Sequence, residues 1–305
     1  IRELMVGFGG IECLTYGFIP ENAMQVLRLD PSVPRFYGDI KILNPLSAPY
    51  ALMRPTLAYG LIDTAADNIK RGVTGIHIFE PGKTFFRDPG HEDGYNERNT
   101  LGAVLYGVSV PKGYGIVRDN NYSIYDAHAL VKGVLDAFNV SYVIQKTDAV
   151  GMFKQGSGGY ILVGGTMIGV LGIVDTAVLT ALGVENIAVA DMLYIELDYT
   201  SLEETKRHIE QERLFPGVTR EYNLIVKNGT YFADYRKEIE RAPGVIQTAA
   251  VDVYTGKGIE KGYASVLVRV EYSFPDRAVA LDEVVAAERQ FLAALGSKYG
   301  IALKA

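Results

Sequence analysis

A single cysteine, Cys13, stands in 305 residues. No internal disulfide framework can form, and a reducing compartment is the expectation. In its apolar context, GIECLTYGF, Cys13 reads as a small buried hydrophobe. Basic residues are outnumbered, with 30 Lys and Arg against 36 Asp and Glu and a net charge of −6. The whole molecule therefore repels a polyanion unless positive charge gathers on one part, and there is no basic tail. The four histidines, His77, His91, His128 and His208, have no metal-ligand spacing, and HIFE puts His77 and Glu80 on opposite faces of a strand. No GxSxG occurs, and Cys13 has no nearby base in sequence, so a nucleophile motif is absent. No segment is of low complexity. The start IRELMVGFGG carries neither an initiator Met nor a signal-peptide pattern and reads as the mature or excised part of something longer. The remainder, 48% hydrophobic and 22% charged, is of ordinary soluble globular make-up, with a length that favours two domains.

Charge is also missing from one long run, Lys154 to Asp175, which raises a membrane span. Seven glycines interrupt the run, and any continuation to Leu182 places Asp175 inside it, at a cost of about 2.5–3.5 kcal/mol at a helix centre. Two buried strands joined by a glycine turn are the expectation. Phosphate cradles fail too. Gly164 and Gly169 have the Walker spacing, but Val170 and Leu171 stand where Lys and Ser or Thr are needed, and Ile161 replaces the third glycine of a GxGxxG begun by Gly156 and Gly158.

Along residues 1–200, short apolar strands alternate with amphipathic helices. MRPTLAYGLIDTAADNIKRG predicts a helix with Pro55 in its first turn, Leu57, Leu61, Ala65 and Ile69 inward, and a stop at Gly72. GIHIFEPGKTFF and TLGAVLYGVSV predict a hairpin joined by a polar loop, Arg87 to Asn99. That loop reads as a solvated tip, or as a place where Arg87 or Arg98 touches a phosphate or a partner chain. DAHALVKGVLDAF predicts a helix capped by Asp126, and DMLYIELDY a strand. The charge-dense SLEETKRHIEQERLF carries a capping box at Ser201 and Glu204 and ends at Pro216 and Gly217, the best boundary in the chain. The last part has the order βαββαβ, a ferredoxin-like sandwich. Val266, Val268, Val270 and Tyr272 should face its helices, with Ser265, Leu267, Arg269 and Glu271 on the open side. Residues 1–215 carry 18 basic against 25 acidic residues, and residues 216–305 carry 12 against 11. The C-terminal part is the better place to meet nucleic acid.

VGFGGIECLTYGFI, ILNPLSAPYALMRPTLAYGLI, IHIFEPGKTFF, YSIYDAHALVKGVL and GGTMIGVLGIV resemble, in order and spacing, the C-terminal half of the bacterial phenylalanyl-tRNA synthetase beta-subunit family. The tail, with REYNLIV and AAVDVYTGKGIEKGYASVLVRVEYS, resembles that family's ferredoxin-fold anticodon-binding domain. The resemblance spans the whole chain. It implies an α+β fold: a class II aminoacyl-tRNA synthetase-like antiparallel sheet with flanking helices over 1–200, a linker helix over 201–217, and a ferredoxin-like βαββαβ domain over 218–305.

The resemblance also implies a division of labour. Active class II domains hold ATP phosphates with one arginine on the second motif hairpin and another after the glycines of the third. FFRDP has Arg87 in the first position but Pro89 and Gly90 in the glutamate region, and IVDTAVLTALG after Gly172 has no arginine. The site reads as catalytically empty, and no catalytic residue and no metal ligand is carried over. Asp175 and Thr176 stand where the family often has His-Pro, and Tyr125 begins a segment where Phe is usual. The implied role is a non-catalytic scaffold and tRNA-binding part of phenylalanine-tRNA ligase in an alpha2beta2 heterotetramer in the cytoplasm, with tRNA(Phe) as partner and neither DNA nor membrane. ATP and magnesium are expected at the alpha subunit. Asn44, Pro45, Arg54 and Pro55 are the alpha-interface candidates, or else turn and helix-start residues. Arg220, Lys227, Arg236, Lys257, Lys261 and Arg269 are the tRNA candidates, or else solvated charges. Two other readings stand beside this one: a stand-alone RNA- or protein-binding regulatory paralogue of the same fold, and an enzyme that uses the Arg87–Asn99 loop for ATP.

Overall fold

The computed structural model describes residues 1–29, 31–44, 50–185, 190–200, 202 and 215–304. Pro45 and the capping box expected at Ser201 and Glu204 lie outside the described residues. The chain divides into two compact units, Ile1–Arg207 and His208–Ala305.

The first unit contains α1 (Arg2–Gly7), β1 (Ile11–Glu12), β2 (Phe18–Ile19), α2 (Ala23–Val26), β3 (Leu52–Met53), α3 (Ala58–Lys70), β4 (Gly75–Arg87), β5 (Tyr95–Val110), β6 (Asn120–Asn121), α4 (Ile124–Ala137), β7 (Val143–Lys146), β8 (Gly159–Val163), β9 (Thr166–Ile173), α5 (Thr176–Ala181) and β10 (Met192–Asp198). One sheet runs β1-β4-β5-β10-β9-β8-β7, with β6 on β5. Its pairings are antiparallel, as expected, except that the two-residue β1 lies parallel to β4.

Both faces are covered. On one face, Ala58, Leu61, Ile62, Ala65 and Ala66 of α3 recur at helical spacing and bury against Ile76, Ile78, Val104 and Tyr194, together with Leu27, Val33 and Phe36 from the preceding coil. On the other, Leu130, Val131, Val134 and Leu135 of α4 pack on Phe79, Leu101, Leu105, Leu193 and Ile195. Each buried Leu, Ile, Val or Phe among them contributes roughly 1.5–3 kcal/mol by leaving water.

Local chemistry adjusts three expected boundaries. The long helix begins at Ala58 rather than in a turn containing Pro55, because the Thr56 hydroxyl accepts from the Ala58 amide at 3.0 Å and stops the chain there. Asp126 is not the cap of α4. Ser123 precedes the helix, and its amide and hydroxyl both donate to Asp126 at 2.7 Å. The polar Arg87–Asn99 loop is shorter than its composition indicates, since cross-strand pairing continues to Arg87↔Tyr95 and leaves residues 88–94 as the tip.

The charge-free run is the expected pair of strands. Gly164 and Gly165 join β8 to β9 at φ of 57° and 84°, the signs a tight hairpin turn requires. Among the described residues no helix is long and apolar enough to cross a membrane.

The second unit contains β11 (Val218–Lys227), α6 (Phe232–Glu240), β12 (Val245–Tyr254), β13 (Tyr263–Tyr272), α7 (Leu281–Tyr299) and β14 (Ala302–Leu303). The sheet order β12-β13-β11-β14, all antiparallel, is that of a ferredoxin-like sandwich. Val266, Val268, Val270 and Tyr272 are buried against Tyr235, Ile239, Phe291 and Leu295, as the alternation required. Ser265, expected on the open side, is itself buried between Ile225 and Tyr254. The edge strand β12 shifts register twice, after Val245 and after Ala250.

Gly169 lies where β9 meets β10. A Cβ there would stand 2.1 Å from the Glu196 carbonyl oxygen, a backbone atom that cannot move alone. Gly169→Ala should lower stability by about 1–3 kcal/mol in urea unfolding.

Candidate functional site

Alternate residues of a strand share a face. Ile78, Glu80, Gly82, Thr84 and Phe86 of β4 therefore lie beside Val104, Gly102, Thr100, Arg98 and Asn96 of β5, with Tyr194, Glu196 and Asp198 of β10 next along. Toward the hairpin tip this face passes from apolar, through two buried carboxylates, to arginines.

The carboxylates hold the segment that leads into α3. Glu80 is fully buried and accepts from Arg54 Nη1 at 2.9 Å, from the Thr15 hydroxyl at 2.6 Å and from the Thr15 amide at 3.2 Å. Glu196 accepts from the Thr56 hydroxyl at 2.6 Å, from the Leu57 amide at 2.9 Å and from the Tyr194 hydroxyl. Between them Gly102 has no side chain, and a Cβ there would meet Leu61 at 2.5 Å and Leu57 at 3.0 Å. Burial raises the Glu196 carboxyl pKa, opposed by hydrogen bonds from Thr56, Tyr194 and Leu57. Both carboxylates are engaged with the chain itself, so they anchor a segment rather than serve as an acid–base pair. The sequence reading gave neither glutamate this role. Its only trace was charge inside two apolar strands, Glu80 in HIFEPG and Glu196 with Asp198 in YIELDY.

Among the described residues no three His, Cys, Asp or Glu side chains converge. Cys13 is half-buried, and burial, then Glu80, pushes its thiol up to about 11, so it stays protonated at neutral pH. Phe153 covers the third-motif position. Its ring lies so close to β9 that a Cβ on Gly172 would meet it at 2.7 Å, which makes that glycine a packing position.

The first unit exposes an apolar surface. Ile11, Leu14, Tyr16, Phe18, Leu43 and Tyr50 are all solvent-exposed, Leu14 to 91% and Leu43 to 96%, and the Tyr16 and Tyr50 rings lie 5.7 Å apart. Of the alpha-interface candidates, Asn44 is exposed beside Leu43. Arg54 and Pro55 are buried, with the Arg54 guanidinium on Glu80, Thr15 and the Lys83 carbonyl. They shape this region from beneath.

The six tRNA candidates do not form one patch. Lys227 and Arg269 lie on the open face of the ferredoxin-like sheet, but Arg269 donates twice to Glu221, at 2.9 and 2.7 Å. Lys261 stands at the end of the β12–β13 connection, which the Asn228 amide ties to the end of β11 through the Gly262 carbonyl at 2.8 Å. Lys227 and Lys261 thus share one end of the sheet. Lys257 is exposed in the same connection. Arg220 is on the opposite face of β11 beside Val270, and Arg236 is on α6, paired with Glu240 at 2.6 Å.

Comparison with known proteins agrees with this geometry. The family described as the phenylalanyl tRNA synthetase beta chain CLM domain matches residues 1–198, and the ferredoxin-fold anticodon binding domain matches residues 214–304. The chain is similar to phenylalanine–tRNA ligase beta subunits from Geobacter sulfurreducens (28% identity over 309 residues), Syntrophotalea carbinolica (28% over 312) and Thermotoga maritima (28% over 293). The alignments cover 99%, 100% and 93% of this chain but 38%, 38% and 35% of those proteins.

Two outcomes follow from the buried groups. Arg54→Ala should destabilise the first unit by about 3–5 kcal/mol, because Glu80 is left charged in the interior, and Arg54→Met with Glu80→Gln should recover part of that loss in urea unfolding. Burial lowers the pKa of His77, whose Nε2 is enclosed without a hydrogen-bond partner among the described residues, and of His128. Each favours its neutral form in the fold, so stability is held above about pH 6.5 and falls as pH drops below it. His77→Phe should flatten that slope in unfolding measured from pH 7 to 5.

Proposed function

The chain belongs to the phenylalanyl-tRNA synthetase beta-chain family, and from that premise we propose that it is a non-catalytic scaffold and tRNA-binding part of phenylalanine-tRNA ligase. In this reading a partner alpha subunit, with ATP and magnesium, attaches phenylalanine to tRNA(Phe), and the two subunits assemble as alpha2beta2 in the cytoplasm. Residues 1–200 are the synthetase-like core, 201–217 a linker, and 218–305 the anticodon-binding domain.

The observation that carries the reading is the carboxylate-anchored sheet face. Where a class II enzyme needs cationic groups free to take phosphates, this face is filled by α3, Phe153 and two internally satisfied glutamates. The exposed Leu14, Tyr16, Phe18, Leu43 and Tyr50 suit a subunit contact, in which aromatic side chains supply much of the binding energy. We assign this surface, with Asn44, to the alpha subunit. Arg54 and Pro55 enter as its support, and Pro45 as a further member of the same interface. For tRNA the best-placed of the six candidates are Lys227, Lys257 and Lys261. Arg220 has a separate placement, and Arg236 and Arg269 already have carboxylate partners.

Co-purification with the alpha subunit followed by a charging assay tests the proposal. Tyr16→Asp with Leu14→Asp should abolish co-purification while leaving the fold intact. Lys227→Glu and Lys261→Glu should each weaken tRNA binding and lower the slope of log K against log salt by about one, whereas Arg236→Gln should change little. An isolated chain that activates phenylalanine in ATP–pyrophosphate exchange would overturn the non-catalytic reading. A chain that binds RNA but never the alpha subunit would favour the regulatory paralogue.

A further inference from the structure

Asparagine followed by glycine occurs once in the chain, at Asn228–Gly229, directly after β11. The pair forms a turn closed by the Thr230 amide, which donates to the Lys227 carbonyl at 3.1 Å. Gly229 has a φ of 90° while Asn228 keeps a negative φ, the pattern of a type II turn with glycine in third place. Both residues are exposed, and no heavy atom lies within 4 Å of where a Cβ on Gly229 would stand. Among the described residues, the Gly229 amide donates to no acceptor and the Asn228 carboxamide has no hydrogen-bond partner.

This arrangement leaves a carbonyl carbon open to the nitrogen beside it. Once the Gly229 amide loses its proton to solvent base, its nitrogen can attack Asn228 Cγ. A C–N bond forms, the carboxamide nitrogen leaves as ammonia, and a cyclic imide joins the two residues. Water then opens the imide. Opening at Cγ gives aspartate in an ordinary chain, and opening at the main-chain carbonyl gives isoaspartate, in which the chain runs through Cβ and Cγ. One amide and one water are consumed, one carboxylic acid and one ammonia are released, and nothing is oxidised or reduced. Glycine favours the attack because it has no side chain to obstruct it and leaves the backbone free to turn. Other described asparagines lack these conditions. Asn44 precedes Pro45, which has no amide hydrogen. Asn68 is held in α3, where it donates to the Thr64 carbonyl at 2.8 Å, and Asn96 is held in a paired strand, where it donates to Asp88 at 3.2 Å.

We propose that Asn228–Gly229 is a site of spontaneous deamidation, and that its conversion weakens polyanion binding at this end of the ferredoxin-like sheet. The second half rests on the tRNA reading given above. The Asn228 amide donates to the Gly262 carbonyl at 2.8 Å, so the new carboxylate arises between Lys227 and Lys261. Three lysines, Lys227, Lys257 and Lys261, stand there with one acidic residue of the same connection, Glu260, and conversion lowers that local charge from +2 to +1. Isoaspartate also lengthens the backbone within the turn.

Peptide mapping of the folded 305-residue chain, held for several days in mildly alkaline buffer, tests the first half. The peptide that carries Asn228 should gain about 1 Da and accept methyl groups from an isoaspartyl methyltransferase, ahead of every other asparagine peptide and faster as pH rises. Asn228→Gln should abolish both signals, because the longer side chain must close a larger ring. The modification site is refuted if this peptide gains no mass, or gains it only after unfolding in urea. For the second half, Asn228→Asp and the aged chain should bind tRNA(Phe) about twofold to fivefold more weakly than the fresh chain at low salt, while Asn228→Gln should bind equally before and after ageing. Equal binding by the fresh chain and Asn228→Asp would refute the effect of conversion. A fresh chain that binds no tRNA(Phe) would overturn the tRNA reading and that effect together, and the mass gain would still decide the modification site.

Discussion

The first unit depends on two glutamates placed in the middle of a sheet. Burying a carboxylate is costly unless it finds hydrogen-bond donors, and Glu80 and Glu196 find them in Arg54, Thr15, Thr56 and the residue that leads into α3. The two residues flank Gly102 across adjacent strands, so they fix where the short segment of residues 54–57 crosses the sheet. That placement sets the helix that fills the face, and a filled face leaves no room for a nucleotide over that part of the sheet.

Periodicity made the local elements legible. The inward positions Leu61 and Ala65, the alternation from Val266 to Tyr272 and the order βαββαβ all follow from side-chain spacing. The anchor was not legible, because Arg54–Glu80 and Thr56–Glu196 join residues 26 and 140 apart, and no local pattern marks such a pair. The burial of Arg54 and Pro55 was hidden for the same reason. RPT reads as a surface helix start, whereas its polar groups point inward to carboxylates contributed by other strands. Tip length at residues 88–94 was overestimated because polar side chains such as Asn96 and Arg98 occur within a paired strand, where cross-strand partners and an aromatic ring accommodate them. The basic residues of the second unit were found by counting, but counting cannot reveal that Arg236 and Arg269 already have acidic neighbours.

Charge is therefore arranged locally rather than by domain. The first unit is acidic overall yet gathers three arginines at one end of its sheet, while the nearly neutral second unit leaves lysines at the joined ends of β11 and the β12–β13 connection. Long-range attraction of a polyanion is weak in such a molecule at ordinary salt.

The two register shifts of β12 bear on the solution behaviour of the chain. This is a ten-residue outer strand with Ile246, Val251, Val253 and Tyr254 exposed and a single charged side chain, Asp252. Unbroken, it would offer a continuous row of amides and carbonyls to any extended segment of another molecule. The shifts after Val245 and Ala250 twist that row and divide it into runs too short to template a neighbour. The irregular ladder costs some regular hydrogen bonding within the sheet and in return keeps the domain from adding strands at its own border.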